Sequence, residues 1–324
     1  MRIALDAMGS ESAPSPEVEG ALVALEREPD LEVVFIGTKK GLKPFTKIIE
    51  ANPRLDTVVV EQVISMSDAP SEVVKTKGDS SIAVGIKMLK ERKVDGFVSA
   101  GNTGAVVAFS LFSLGRIQGV HRPALATPFP TPSGQTVVLD VGANVDSKPE
   151  HLRDYALMGA LMVGKIDGIK KPRVGLLNVG EEEKKGNQMV QEAYKLLTDS
   201  SLNFVGNVEG SRVFTGKADV VVTDGFTGNV MLKAMEGMGA AVLSVMKNTG
   251  KKYRLRGWLS KKVFKDFIIG LNYEKAGGAI LLGVRGPVII SHGHSSARAI
   301  KNAVRLACFV AREGLVDAIA EEFK

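Results

Sequence analysis

Four apolar runs in this chain each empty into a turn of Gly, Asn, Asp and Thr, and a helical pattern follows each turn. Phe97–Ser99 leads into Ala100-Gly101-Asn102-Thr103-Gly104, and Val137–Leu139 leads into Asp140-Val141-Gly142-Ala143-Asn144. Val174–Leu177 leads into Asn178-Val179-Gly180, and Val220–Thr223 leads into Asp224-Gly225-Phe226-Thr227-Gly228-Asn229. Strand, turn and helix repeated along one chain specify an α/β fold, with the helices packed on the faces of a sheet. Turns at the carboxyl ends of parallel strands present backbone N–H groups, and the helix that follows adds a partial positive charge. Four of them on one chain predict a single crevice shaped for a phosphate-like ligand.

The rest of the pattern agrees. Strands are expected at Ile3–Leu5, Leu31–Gly37, Thr57–Glu61 and Pro287–Ile290, and helices over 16–27, 44–51, 80–92, 150–163, 187–197 and 295–310. Ser80 or Asp79 is a suitable N-cap for the third of these helices. Connections are short and no low-complexity linker interrupts the chain. The 324 residues therefore read as one compact α/β unit of two intertwined lobes.

Composition narrows the function classes. The apolar share of 44% is that of an ordinary globular protein, and no apolar run approaches the roughly 20 residues that cross a bilayer. The start, Met1-Arg2-Ile3-Ala4-Leu5-Asp6, reads as a strand because Asp6 interrupts any signal-like apolar core, so a cytoplasmic location is expected. The lone cysteine, Cys308, excludes an intramolecular disulfide and a cysteine-based zinc site, and its apolar helical setting marks it as core. His292 and His294 have the spacing of a metal pair, but no third ligand accompanies them, so no metal is expected.

The net charge of +6 is concentrated in one place. Between Lys247 and Asp266 there are eight Lys or Arg and one Asp, which leaves the remainder close to neutral. This is a local basic feature, not a nucleic-acid coat. Gly250 and Gly257 interrupt the segment, which predicts a helix ending near Asn248, a bend and a second helix. Leu255, Trp258, Leu259, Val263 and Phe267 recur at helical spacing. Residues 243–271 thus read as a basic amphipathic hairpin, made for an anionic membrane surface, for a dimer partner, or for both.

No nucleotide signature is present: there is neither a Walker A sequence nor a G-x-G-x-x-G between strand and helix. There is no G-x-S-x-G elbow either. A crevice of N–H donors, Asn side chains and lysines without a covalent nucleophile suits a substrate that brings its own, such as inorganic phosphate. Lys185, on a turn between strand and helix, is placed to neutralise phosphate or an oxyanion. Asn229 closes a tight turn and is either a catalytic group or a helix cap. Asn102, Thr103 and Gly104 carry the same ambiguity, and Lys77, Asp79 and Ser80 form a helix start able to touch phosphate. Asn144 and Asp140 suit loop organisation, and Asp224 suits either bracing of its turn or accepting a proton; Asn144, Asp224, Thr227 and Gly228 are counted with the residues expected to bind phosphate or substrate.

Taken in order, these motifs resemble the PlsX-type phosphate acyltransferases. The resemblance rests on Asp6-Ala7-Met8-Gly9, Lys77-Gly78-Asp79-Ser80-Ser81-Ile82, Ser99 to Ala105, Arg122-Pro123-Ala124 and Leu139 to Asn144. It continues through Leu176 to Gly180, Lys185-Gly186-Asn187, Gly206 to Gly210, Asp224 to Asn229 and Ser291-His292-Gly293. It departs at Ser10-Glu11, where the family usually has Gly-Asp. The resemblance implies a three-layer α/β/α fold around one large mixed sheet, like isocitrate dehydrogenase and phosphotransacetylase, with a helical excursion that builds a homodimer. It implies transfer of a long-chain acyl group from acyl carrier protein to inorganic phosphate, with no cofactor. The acyl phosphate would then pass to a membrane glycerol-3-phosphate acyltransferase, and the protein would sit peripherally on the inner face of the cell membrane. It also implies that the phosphate site includes Lys185, Asn229 and His292. A nicotinamide-dependent dehydrogenase, a coenzyme A-dependent phosphotransacetylase and a basic scaffold are the competing classes.

Overall fold

Apolar residues at consecutive positions, not alternate ones, mark strands buried on both faces. The first strand, β1 (Arg2–Asp6), is of this kind: Ile3 and Leu5 join the core on one side of the sheet and Ala4 joins the core on the other. The computed structural model describes residues 1–252 and 277–324. In it, β1 pairs in parallel with β2 (Glu32–Thr38) and with β4 (Gly96–Ser99), and β3 (Leu55–Val60) pairs in parallel with β2.

The remaining strands are β5 (Ala124–Thr131), β6 (Gly134–Leu139), β7 (Arg173–Asn178), β8 (Asn203–Glu209), β9 (Val220–Val222), β10 (Ala279–Leu282) and β11 (Val288–Ile290). Together they make one sheet of order β3-β2-β1-β4-β11-β10-β5-β6-β9-β7-β8. The first five strands of that order run parallel to one another, as do the last four. Between them β10 and the β5–β6 hairpin pair antiparallel. Three antiparallel steps invert the direction, so the two parallel halves point opposite ways. The mixed α/β sheet is as expected. The sheet does not by itself gather the turns expected to line one crevice, because the carboxyl ends of the strands in the two halves open on opposite edges.

Helices cover both faces. On one face lie α1 (Ser15–Arg27), α7 (Pro149–Asp167), α8 (Gln188–Thr198), α10 (Ala297–Arg312) and α11 (Leu315–Glu322), packed on Leu5, Phe35, Leu139 and Val222. On the other lie α4 (Pro70–Thr76), α5 (Ser81–Lys90), α6 (Thr103–Phe109) and α9 (Gly225–Lys252), packed on Val34, Ile36, Phe97 and Val138. Short α2 (Lys39–Leu42) and α3 (Thr46–Glu50) join β2 to β3. The 28-residue α9 runs to Lys252, past the end expected near Asn248. Most of the segment expected as a basic hairpin, including Leu255, Trp258, Leu259, Val263 and Phe267, lies outside the described residues. Among the described residues, no helix is long and apolar enough to cross a membrane.

Candidate functional site

Each half of the sheet ends in a buried aspartate. In the first half, Asp6 closes β1. Its Oδ1 accepts from Met8 N at 3.0 Å and its Oδ2 from Ser99 Oγ at 2.7 Å, while Ser99 Oγ accepts from Gly101 N at 3.0 Å. One carboxylate thus ties the turn after β1 to the turn after β4. Burial pushes the Asp6 carboxyl up, against the bonds from Ser99, Ser81 and Met8. Behind it Glu17, fully buried on α1, accepts from Ser10 N at 3.1 Å, and burial pushes its carboxyl up to about 7.

In the second half, Asp140 follows β6. Its Oδ1 accepts from the N–H groups of Leu125, Gly142 and Ala143 at 2.9–3.0 Å, and its Oδ2 accepts from Asn144 N at 2.8 Å and Asn144 Nδ2 at 2.9 Å. Burial raises this carboxyl too, but all five partners are donors, which favours the carboxylate. The neighbouring turn fits tightly against it. Gly225 N donates to Asn144 O at 2.9 Å, and a Cβ on Gly228 would fall 1.9 Å from Asp140 O, so only glycine fits there.

These bonds correct one expectation. The turns do not hold their N–H groups bare: Gly101, Gly142, Ala143, Asn144, Thr227 and Val179 all donate within their own turns. A short polar turn next to an Asp, Asn or Ser side chain satisfies itself. Donors for an anion come instead from side chains and from the first helical turns.

The expected site residues divide accordingly. Asn102 caps α6 through Ala105 N at 3.0 Å, and its Nδ2 reaches Ser65 O, Met66 O and Asp68 O at 3.0–3.2 Å. Its side chain is a strut between α6 and the loop before α4. Thr103 is exposed beside it, and Gly104 packs against Pro70. Lys77 donates to Val63 O at 3.1 Å and pairs with Asp68 Oδ2 at 2.5 Å, so its charge is engaged. Ser80 is the N-cap of α5, and Asp79 is exposed before it. Asn144 spends its amide on Pro123 O, Asp140 and Tyr155 Oη at 2.6–3.0 Å. Asp224 braces its own turn, accepting from Thr227 N at 2.8 Å and Thr227 Oγ1 at 2.7 Å.

Two expected residues keep exposed side chains. Lys185, in the loop between β7 and α8, offers its carbonyl to Asn178 Nδ2 at 3.0 Å and lays its stem along Gly180. Asn229, on the first turns of α9, lies over Gly142. The strands β6, β9 and β7 are consecutive, so the turns that carry Asp140, Asp224 and Asn178 sit side by side, about 5 Å apart per strand.

A single helix joins the two clusters. Asn229, Lys233 and Glu236 stand at i, i+4 and i+7 on α9, within one stripe about 10 Å long. At one end Asn229 meets the Asp140 turn. At the other Glu236 pairs with Lys233 at 2.8 Å and lies 3.9 Å from His292 Nε2, in the turn after β11. His292 also accepts at Nδ1 from His294 N at 3.1 Å, and burial pushes its imidazole down, toward the neutral form. Lys233 and Glu236 were missed from the sequence, although their spacing from Asn229 is the signal that finds them. Among the described residues no group of three or more His, Cys, Asp or Glu side chains could hold a metal.

Residues 1–317 match the family model described as fatty acid synthesis protein. The chain is 45% identical over 328 residues to a phosphate acyltransferase of Halothermothrix orenii, covering 99% of this chain and 98% of that one. It is 48% identical over 313 residues to a phosphate acyltransferase of Dictyoglomus turgidum, covering 95% and 93%. Among solved structures, a phosphotransacetylase from Streptococcus pyogenes superposes with a TM-score of 0.63 at 18% identity, over 97% of this chain and 94% of that one. A branched-chain phosphotransacylase from Enterococcus faecalis V583 gives 0.62 at 15%, over 96% and 99%. At such identities the superpositions establish the fold: this chain has the phosphotransacetylase-like fold.

Proposed function

The chain belongs to the fatty acid synthesis protein family, and from that membership we propose that it moves a long-chain acyl group from acyl carrier protein to inorganic phosphate. The relatives named phosphate acyltransferase support acyl transfer involving phosphate. The observation that carries the reading is the α9 stripe, which joins Asn229 at the Asp140 turn to the His292 turn of the other half.

In this proposal phosphate binds beside Asn229, with Lys185 supplying positive charge. One phosphate oxygen attacks the thioester carbonyl. The carbonyl oxygen becomes an oxyanion, which the Asn229 amide and a lysine stabilise. Collapse breaks the C–S bond and releases the carrier thiolate, a fair leaving group that needs no strong acid. Phosphate is already an anion near neutral pH, so the step needs alignment more than a base.

The same proposal includes the rest of the cycle. Acyl phosphate passes to a membrane glycerol-3-phosphate acyltransferase, the protein acts as a homodimer in the cytoplasm, and residues 243–271 hold it peripherally at an anionic membrane surface. The reaction uses no cofactor. The test is phosphate-dependent release of free carrier thiol from acyl carrier protein, with the same acyl group on coenzyme A assayed in parallel. Release from the carrier thioester that needs phosphate supports the reading. Preference for short-chain coenzyme A thioesters points to a phosphotransacetylase, and no consumption of either thioester overturns acyl transfer.

A further inference from the structure

Two helices begin at the Asp6 cluster and run outward on the same face of the sheet as α9. The first residue of α5, Ser81, bonds to Asp6, and α6 starts from the Asn102 cap. With a rise of 1.5 Å per residue, Lys90 stands about 14 Å along α5 from that start. There α5, α6 and α4 enclose an open groove of about 510 Å³, floored by Val74, Ala83 and Phe109 and rimmed by Lys87 and Lys90. Both lysines are exposed, and Glu91, the carboxylate beside them, pairs with Lys93 at 2.8 Å. Helix α6 continues into a π-helical turn, Ser110–Leu114, which holds Phe112 at 75% exposure. Such turns are frequent at functional positions.

Resting on the acyl-transfer reading, we infer that this groove is the surface on which the acidic carrier protein docks, with an acidic amphipathic helix seated against Phe112 and flanked by Lys87 and Lys90. Phe112 is an exposed aromatic next in sequence to the groove-lining Ser113, and with two lysines on the rim it offers a protein partner both apolar contact area and electrostatic steering. The groove is open and bordered by Lys87, Lys90 and Glu91, so it does not suit a bare acyl chain, which needs an enclosed apolar channel. A larger cleft of about 730 Å³, bordered by Lys165, Lys170 and Lys171, opens beside α7 on the opposite face of the sheet from α9. Its position, not its charge, disqualifies it. A carrier docked near Phe112 stands outside the site and reaches inward with the thioester on its flexible arm. The surface therefore acts on capture of the carrier and leaves the chemistry alone.

The experiment compares wild type with Lys87→Glu/Lys90→Glu and with Phe112→Ser, all solvent-facing changes whose folding is checked by thermal melts. With long-chain acyl carrier protein, KM should rise roughly tenfold or more in the double variant while kcat holds. Affinity for fluorescently labelled carrier protein should fall in parallel, and the salt dependence of KM should flatten. A smaller rise in KM is expected for Phe112→Ser. Unchanged KM and unchanged carrier affinity in an otherwise active enzyme overturn the docking surface alone, as does a fall in kcat with KM constant. A wild-type protein that consumes no thioester overturns the acyl-transfer reading and the docking surface with it.

Discussion

Asp6 and Asp140 occupy corresponding places in the two halves of the sheet, yet they organise their surroundings differently. Asp6 works across strands, linking β1 to β4 through Ser99 and to α5 through Ser81. Asp140 works mainly along its own turn, where it gathers three successive N–H groups and the Asn144 amide. The first half is held by a network of side chains that includes a second buried acid, Glu17. The second is held by one carboxylate and by the close fit of Gly225 and Gly228. The half with the self-sufficient turn is also the one that leaves Asn229 and Lys185 exposed. A turn that needs no side chain from its neighbours keeps theirs available for a ligand.

The largest test of this contrast is removal of each aspartate. Asp140→Ala strands four backbone N–H groups at once and should cost about 4 kcal/mol or more in urea unfolding, against about half that for Asp6→Ala. Equal losses would break the comparison. Next in size is the pH dependence of the first half. The folded-state pKa of Glu17 is raised from 4.5 to about 7, so the folded protein binds more protons than the unfolded chain within that window. Its stability must then fall as pH rises from about 4.5 to about 7, by on the order of 3 kcal/mol at most from this group. Glu17→Gln should flatten that slope, as read from melting temperatures at pH 5 and pH 8. An unchanged slope would remove Glu17 from the account.

Substitution of Asn229 sharpens the comparison at the site. Asn229→Ala should lower turnover roughly a hundredfold, the effect of losing an oxyanion donor, with an unchanged melting temperature because the side chain is exposed. Asn102→Ala should do the reverse, costing about 1–2 kcal/mol of stability through the lost cap and strut while turnover per folded molecule changes little. Wild-type turnover in a folded Asn229→Ala protein would shift the chemistry elsewhere on the α9 stripe, with Lys233 as the next residue to replace.

Several elements stood out in the sequence because their signals are local. The runs Leu31–Gly37, Val174–Leu177 and Val220–Thr223 are apolar throughout or nearly so, and Asn102, Asn187 and Ser80 announce helix starts by capping chemistry. The strand β5 was hidden by Pro128 and Pro130, which argue against a strand inside a sheet. The structure accommodates them because β10 pairs only with Ala124–Ala126, so both prolines lie where β5 has β6 as its one partner. Edge strand β8 was concealed by its half-exposed pattern and by Gly206 at φ 85°.

The amino-acid order alone determined the α/β class, the turns that close its strands, the family and the concentration of basic charge near residue 250, because each is written in neighbouring residues. Only the tertiary structure decided that the two parallel halves oppose one another, that the turns consume their own N–H groups, and that α9 carries one half's Asn229 toward the other half's His292. Those outcomes depend on antiparallel pairing between segments more than 150 residues apart, such as β10 with β5. Periodicity within a segment holds no record of which distant strand will lie beside it.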